Sequence, residues 1–138
     1  MLEKIIPKKY GFAKDIAEII FAFAVAWLFY QGLAFAAGTP MPIVAVVSDS
    51  MEPILHRGDL LLSTRIDEPQ AGDIVIYQGQ RFTVVHRIVE LTENGYITKG
   101  DNNLIADPPI RREQVFGKVW FAVPLLGYPR LALYAVGI

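Results

Sequence analysis

The segment V-V-S-D-S-M-E-P carries two serine hydroxyls one residue apart, at Ser48 and Ser50. A serine hydroxyl is a weak nucleophile and needs an adjacent base before it can attack a carbonyl carbon. The chain holds 2 histidines, His56 and His86, and no cysteine, which excludes thiol nucleophiles, disulfides and thiolate metal sites. Any imidazole base for these serines must therefore be one of the two histidines.

His86 is the better candidate for the base. It lies in F-T-V-V-H-R-I-V-E, where strand alternation places it on one face with Val84 and Ile88. Burial between branched apolar neighbours favours the neutral imidazole, which is the form that a general base needs. The alternative is a core histidine with a satisfied hydrogen bond. His56 lies in L-H-R-G-D, a loop before a turn, where we expect it to be solvated.

A histidine base is usually oriented by a carboxylate on its other ring nitrogen. Two candidates, Asp101 and Asp107, follow in K-G-D-N-N-L-I-A-D-P-P. Gly-Asp is typical of turns, and an aspartate before a proline is equally at home as the start of a turn. Spacing alone leaves both aspartates open.

Composition excludes several other classes of site. The 2 histidines and the scattered aspartates lack the spacing of a zinc site, so we expect no metal. No glycine-rich phosphate loop is present, and we expect no cofactor. The net charge of -1 gives no argument for binding to nucleic acid.

An uncharged apolar run, residues 19–37, precedes the serines. As a helix it would nearly cross a hydrocarbon core of about 30 Å. A transmembrane anchor, a buried core helix and a cleaved secretory signal are the three interpretations. The rest of the chain is too short to surround a core helix, and the run is longer than a usual cleavable core. We therefore predict an anchor.

The basic residues around the run predict its orientation. Four lysines precede it, whereas only Arg57 is basic within about 20 residues after it. Positively charged flanks stay in the cytoplasm. The N-terminus is therefore predicted to be cytoplasmic and the rest of the chain to lie outside.

Beyond Pro40 the pattern changes to short strands separated by glycine-containing turns, which predicts a compact, mainly β, antiparallel domain. The apolar tail would reach only about 22 Å as a helix, too short to span a bilayer. It could lie at the membrane surface, begin a second span or pack on the β domain. The predicted strands are 43–47, 60–64, 73–77, 82–91, 96–98 and 115–123. The predicted domains are a cytoplasmic segment at 1–18, an anchor at 19–38, an extracytoplasmic catalytic β domain at 39–123 and the tail at 124–138.

Four short motifs, S-D-S-M-E-P, R-G-D, H-R-I-V and K-G-D-N-N, follow one another behind the anchor. In this order they resemble the signature boxes of the type I signal peptidases, and four boxes in order are far more specific than any one. Bacterial members have lysine where this chain has His86. The archaeal and endoplasmic-reticulum branch has histidine, and the chain resembles that branch.

The resemblance implies a role for five residues. Ser50 corresponds to the nucleophile and His86 to the general base. Asp107 corresponds to the essential aspartate, and Asp101 to a second acidic position that supports activity. The Ser48 hydroxyl corresponds to a group that joins the Ser50 backbone N–H in an oxyanion hole.

The resemblance also implies an activity, the removal of signal peptides from exported preproteins after small residues in an Ala-X-Ala-like pattern. Met51 and Pro53, beside the nucleophile, are expected to bind substrate. The expected partners are preprotein signal peptides, the lipid bilayer and the protein-export machinery. The expected location is the cell membrane, or the endoplasmic-reticulum membrane in a eukaryote, with a single pass.

Two other functions remain open at this point. The self-cleaving repressors of the SOS response share the β scaffold, but they use lysine and lack an anchor. A catalytically inactive, membrane-anchored module that binds peptides or assembles with partners is the second alternative.

Overall fold

The computed structural model describes residues 9–137, and it begins with one long helix. Helix α1, Lys9–Ala37, has 29 residues and starts well before the apolar run at 19–37. Lys14 Nζ lies 3.7 Å from Glu18 Oε1 on the next turn of this helix. An ion pair at this spacing stabilises the first part of the helix. The segment Gly11–Ala37 is long and apolar enough to cross a membrane, and none of the residues in its most apolar 18-residue stretch is buried.

Helix α1 accounts for the described part of one unit, and the chain from Ala37 onward forms a second. Residues 1–8 of the predicted cytoplasmic segment, and the last residue of the tail, lie outside the described residues. The second unit is built from the strands β1 Ile43–Ala45, β2 Leu60–Thr64, β3 Ile74–Gln78, β4 Thr83–Leu91, β5 Gly95–Lys99, β6 Ile110–Arg111 and β7 Val115–Val123, with helix α2 at Tyr128–Ala135.

Within the described residues these strands form one 7-stranded sheet in the order β1-β2-β7-β3-β4-β5-β6. Every neighbouring pair is antiparallel. This confirms the prediction of a mainly β, antiparallel domain. Strands β2 and β7 occupy their predicted ranges, whereas β6 was not predicted because 2 residues are too few to show alternation.

Apolar side chains pack in two clusters, and both use neighbouring residues of β4. Val84 packs on one cluster and Val85 on the other. Since both residues before His86 are held by the core, the start of β4 has little freedom to shift. The first cluster contains Val75, Tyr77, Ile88, Tyr96 and Ile110, and the second contains Val46, Met51, Leu55 and Leu61.

Candidate active site

Ser50 lies in a tight turn that follows β1 and is held on two sides. On the side of the apolar core, Met51 and Leu55 are only 2% and 3% exposed. The Leu55 N–H donates to the Met51 carbonyl at 3.0 Å. From the loop after β5, the Asn102 N–H donates to the Ser50 carbonyl at 2.8 Å. The Asn102 side chain also donates to the Asp49 carbonyl at 3.1 Å. These contacts fix the backbone that carries the Ser50 hydroxyl.

His86, on β4, links the Ser50 hydroxyl to a carboxylate. Its Nε2 lies 3.1 Å from Ser50 Oγ, and its Nδ1 lies 2.5 Å from Asp107 Oδ2. An ionised carboxylate only accepts hydrogen bonds, so Nδ1 carries the proton and Nε2 is left as an acceptor facing the serine. His86 is 8% exposed. This is the hydrogen-bond arrangement of a Ser-His-Asp triad, in which the imidazole takes the serine proton.

Tyr77 and Thr98, on the strands flanking β4, also contact Asp107, and the sequence analysis did not single them out. Tyr77 Oη donates to Asp107 Oδ2 at 3.1 Å, and Thr98 Oγ1 lies 2.9 Å from the same oxygen. Thr98 Oγ1 also lies 3.1 Å from Tyr77 Oη. Burial raises the pKa of Tyr77 to about 12, so its hydroxyl stays protonated as a donor. Each is a polar side chain at a buried strand position, and that pattern could have indicated in the sequence that both residues need hydrogen-bond partners.

Asp101 lies elsewhere and pairs with Arg87. The guanidinium Nε and Nη2 of Arg87 donate to the two carboxylate oxygens at 2.9 and 2.8 Å, and its Nη1 donates to the Gly72 carbonyl at 2.7 Å. These hydrogen bonds hold the pKa of Asp101 below its usual range. Of the two aspartates that spacing left open, Asp107 is the one that contacts His86 Nδ1.

Ser48 stands beside Ser50, with its Oγ 3.2 Å from Ser50 Oγ. A hydroxyl at this distance can donate to negative charge that develops next to the attacking oxygen. His56, the other imidazole, points away into solvent with its side chain 61% exposed, 3.8 Å from an Asp59 oxygen. The His56 side chain is therefore at the surface, as its loop position predicted, whereas Asp59 beside it is buried.

A cleft of about 380 Å³ opens beside these residues. Met51 lines it, whereas Pro53 is exposed and is not among its lining residues. The cleft is mainly apolar, and its lining includes Val44, Val46, Leu55, Val84 and Val85, together with Ser48, Ser50 and His86. A larger cavity of about 580 Å³, beside Arg65 and Tyr96, contains none of the predicted site residues. Among residues 9–137 no group of three metal-ligating side chains comes together.

Known proteins are similar in sequence to this chain over most of its length. The family model described as Peptidase S24-like matches residues 12–120. The signal peptidase complex catalytic subunit sec11 of Pyrenophora teres f. teres is 36% identical over 138 residues, which cover 88% of this chain and 80% of the relative. The SEC11 subunit of Saccharomyces cerevisiae strain YJM789 is 38% identical over 132 residues, 83% of this chain and 79% of the relative.

The chain belongs to the signal peptidases of the Peptidase S24-like family. This confirms the family resemblance that the four ordered motifs indicated. As a signal peptidase of this family, the chain is a serine peptidase. The family match contains Ser50, His86 and Asp107 and ends before helix α2.

Proposed function

We propose that this chain is a membrane-anchored serine endopeptidase that removes signal peptides from exported preproteins. The hydrogen-bonded line from Ser50 through His86 to Asp107, open to an apolar cleft, is the observation that supports it. The relatives are named as catalytic subunits of a signal peptidase complex. We therefore also infer that the chain works with partner subunits.

In the proposed mechanism Ser50 Oγ attacks the scissile carbonyl carbon while His86 Nε2 takes its proton. Asp107 holds the ring in the required tautomer and stabilises the imidazolium that forms. The Ser50 N–H and the Ser48 hydroxyl donate to the oxyanion. His86 then protonates the leaving amine. Water next attacks the acyl carbon while His86 Nε2 takes its proton, and His86 returns that proton to Ser50 Oγ as the bond between the acyl carbon and the serine oxygen breaks.

The cleft suits an extended peptide with small apolar side chains. Strand β1 lies at one end of the sheet, and residues 44–47 at and after it line the cleft. An extended peptide can add to such an edge through main-chain hydrogen bonds, with alternate side chains directed into the cleft. Met51 forms part of the buried wall of the cleft. Pro53 does not line the cleft, and we propose that it lies near the bound substrate.

Helix α1 serves in this proposal as a single membrane anchor with the cytoplasmic N-terminus predicted from the lysines. The catalytic domain at 39–123 and the tail at 124–138 then lie outside. A signal peptide is itself inserted in the bilayer, so anchoring enzyme and substrate together raises their effective concentration without any new contact.

The direct test is to incubate the detergent-solubilised protein with a purified preprotein and to follow cleavage. Wild type should cut after small residues, whereas Ser50→Ala and His86→Ala should each lower turnover by about 10⁴-fold. His56→Ala is the matched control, since it removes the other imidazole, and it should leave the rate nearly unchanged. Near-normal cleavage by Ser50→Ala would end the proposal.

The same assay separates the alternatives. An inactive peptide-binding module would bind the preprotein and leave it intact, and wild type and Ser50→Ala would then behave alike. The repressor alternative requires a lysine base, yet the position beside Ser50 is occupied by His86.

A further inference from the structure

Helix α2 is attached to the β domain through two glycines. The Gly127 N–H donates to the Gly58 carbonyl at 2.8 Å. A Cβ at Gly127 would lie 2.5 Å from the Asp59 carbonyl oxygen, and a Cβ at Gly58 would lie 2.8 Å from Cε2 of Tyr128. Gly58 also has a φ of 93°, which other residues rarely adopt. Helix and turn therefore approach at a distance that only glycine permits.

The turn that holds α2 also holds the chain leading to the serines. The Val46 N–H donates to the Asp59 carbonyl, and the Gly58 N–H donates to the Val46 carbonyl, both at 2.9 Å. Val46 lies two residues before Ser48 in the sequence. Backbone hydrogen bonds thus connect α2 to the Ser48–Ser50 segment through the single turn at Gly58 and Asp59.

This attachment brings one aromatic side chain of α2 to the cleft. Tyr134 lines the cleft together with Ser48, Ser50 and His86, and it remains 53% exposed. Tyr134 therefore lies beside the segment that carries the nucleophile.

We propose that Tyr134 is a substrate-contacting residue that restricts the size of the side chains accepted beside Ser50. This inference rests on the proposed function, because it concerns the peptide that the same cleft would bind. The rest of the apolar lining is aliphatic apart from Met51 and from Phe82, which lies just before β4. Tyr134 adds a rigid ring from a helix beyond the family match at 12–120. The ring narrows the cleft, so small side chains fit and larger ones meet it.

The test measures peptide binding in the Ser50→Ala background, where cleavage does not interfere. The probes are fluorescent peptides spanning a preprotein cut site, with alanine at the first and third positions before the cut, or with leucine at one of the two. Tyr134→Ala should reduce the discrimination against leucine by about tenfold at one position, the range that hydrophobic pockets provide. Tyr134→Phe should retain it, and Tyr134→Trp should weaken binding of the alanine peptide.

Leu133→Ala is the matched control, because this neighbour on α2 is 47% exposed and lies outside the cleft. It should leave the preference for alanine unchanged. Thermal unfolding of each variant checks that α2 is still attached. Unchanged discrimination at both positions in Tyr134→Ala, together with unchanged binding in Tyr134→Trp, would overturn the inference.

Cleavage of the alanine peptide by the chain with Ser50 intact keeps the two proposals apart. If it cleaves but the Tyr134 variants discriminate as wild type does, only the inference fails. If it does not cleave but discrimination in binding depends on residue 134, only the proposed function fails. If no peptide binds, both fail.

Discussion

At the scale of single residues, one carboxylate oxygen of Asp107 is the meeting point of three hydrogen-bonding side chains. His86 Nδ1, Tyr77 Oη and Thr98 Oγ1 all lie within hydrogen-bond distance of its Oδ2. Tyr77 and Thr98 are 3% and 0% exposed, so water does not easily replace either hydroxyl. Such a network orients the carboxylate that in turn orients the imidazole, and its members act together. We therefore interpret Tyr77 and Thr98 as positioning residues.

Removing the Thr98 hydroxyl tests this interpretation. Thr98→Val keeps the shape of the side chain but deletes a hydrogen bond to a charged group, which contributes about 1.5 to 3 kcal/mol. We expect kcat to fall by about 10- to 100-fold with little change in KM, because the peptide does not touch this residue. Tyr77→Phe should act in the same direction.

Thr64→Val, on β2, is the control for replacing a partly buried threonine, and it should leave kcat unchanged. Steady-state kinetics and unfolding midpoints are measured on the same preparations. A Thr98→Val enzyme with normal kcat would show that the hydrogen bond from Thr98 is not needed to orient Asp107.

At the scale of elements, the loop after β5 joins the serine turn to β4. Asp101 accepts two hydrogen bonds from Arg87 on β4, and the next residue, Asn102, holds the Ser50 carbonyl. The Asp101 N–H also lies 3.5 Å from the sulfur of Met51. We therefore propose that Asp101 supports activity by holding the Ser50 turn in position.

The Arg87–Asp101 pair should make stability depend on pH. The pKa of Asp101 is lower in the folded chain than in the unfolded chain, where it is about 3.9. The pair therefore stabilises the fold above about pH 4, and this contribution is lost as the pH falls through the lower folded value. Denaturant unfolding of wild type and Asp101→Asn should show a difference above pH 4 that shrinks in stronger acid.

Asp67→Asn is the matched control for that measurement. Asp67 also pairs with an arginine, Arg65, but both side chains are 69% exposed, and exposed pairs contribute little. A difference between wild type and Asp101→Asn that stays constant down to pH 2 would contradict the assignment.

At the scale of the whole molecule, the chain divides into α1 and a β unit with its own two apolar clusters. Every residue of the proposed triad, and the cleft beside it, belongs to the β unit. The proposed chemistry therefore does not depend on α1, and the proposed role of α1 is to bring the enzyme to substrates in the same bilayer.

A fragment of residues 37–138 should separate these two roles. We expect it to fold and to cleave a short soluble peptide with a kcat/KM close to that of the full chain. On a preprotein embedded in vesicles its rate should fall by about 10²-fold or more relative to the full chain in the same vesicles, because the shared membrane no longer concentrates the pair. Equal loss on both substrates would mean that α1 supports the catalytic unit itself.

Features that depend on local pattern were predictable from the order of the residues. The apolar run at 19–37, the strands at 60–64 and 115–123, and the choice of His86 over His56 all follow from the hydropathy and alternation of neighbouring residues. The identity of the family followed from four motifs in order, whose residues need no knowledge of their distances in space.

Which side chains contact one another depends on the folded arrangement of the strands and loops. Spacing alone left Asp101 and Asp107 equally plausible, and only the family resemblance favoured Asp107. The packing of β5 and its following loop brings Asp107 to His86 and Asp101 to Arg87. The contacts of Thr98 with Asp107, and of α2 with the turn at Gly58, join residues far apart in the chain. Such contacts depend on how the strands pack and on their register, which alternation within one strand does not encode.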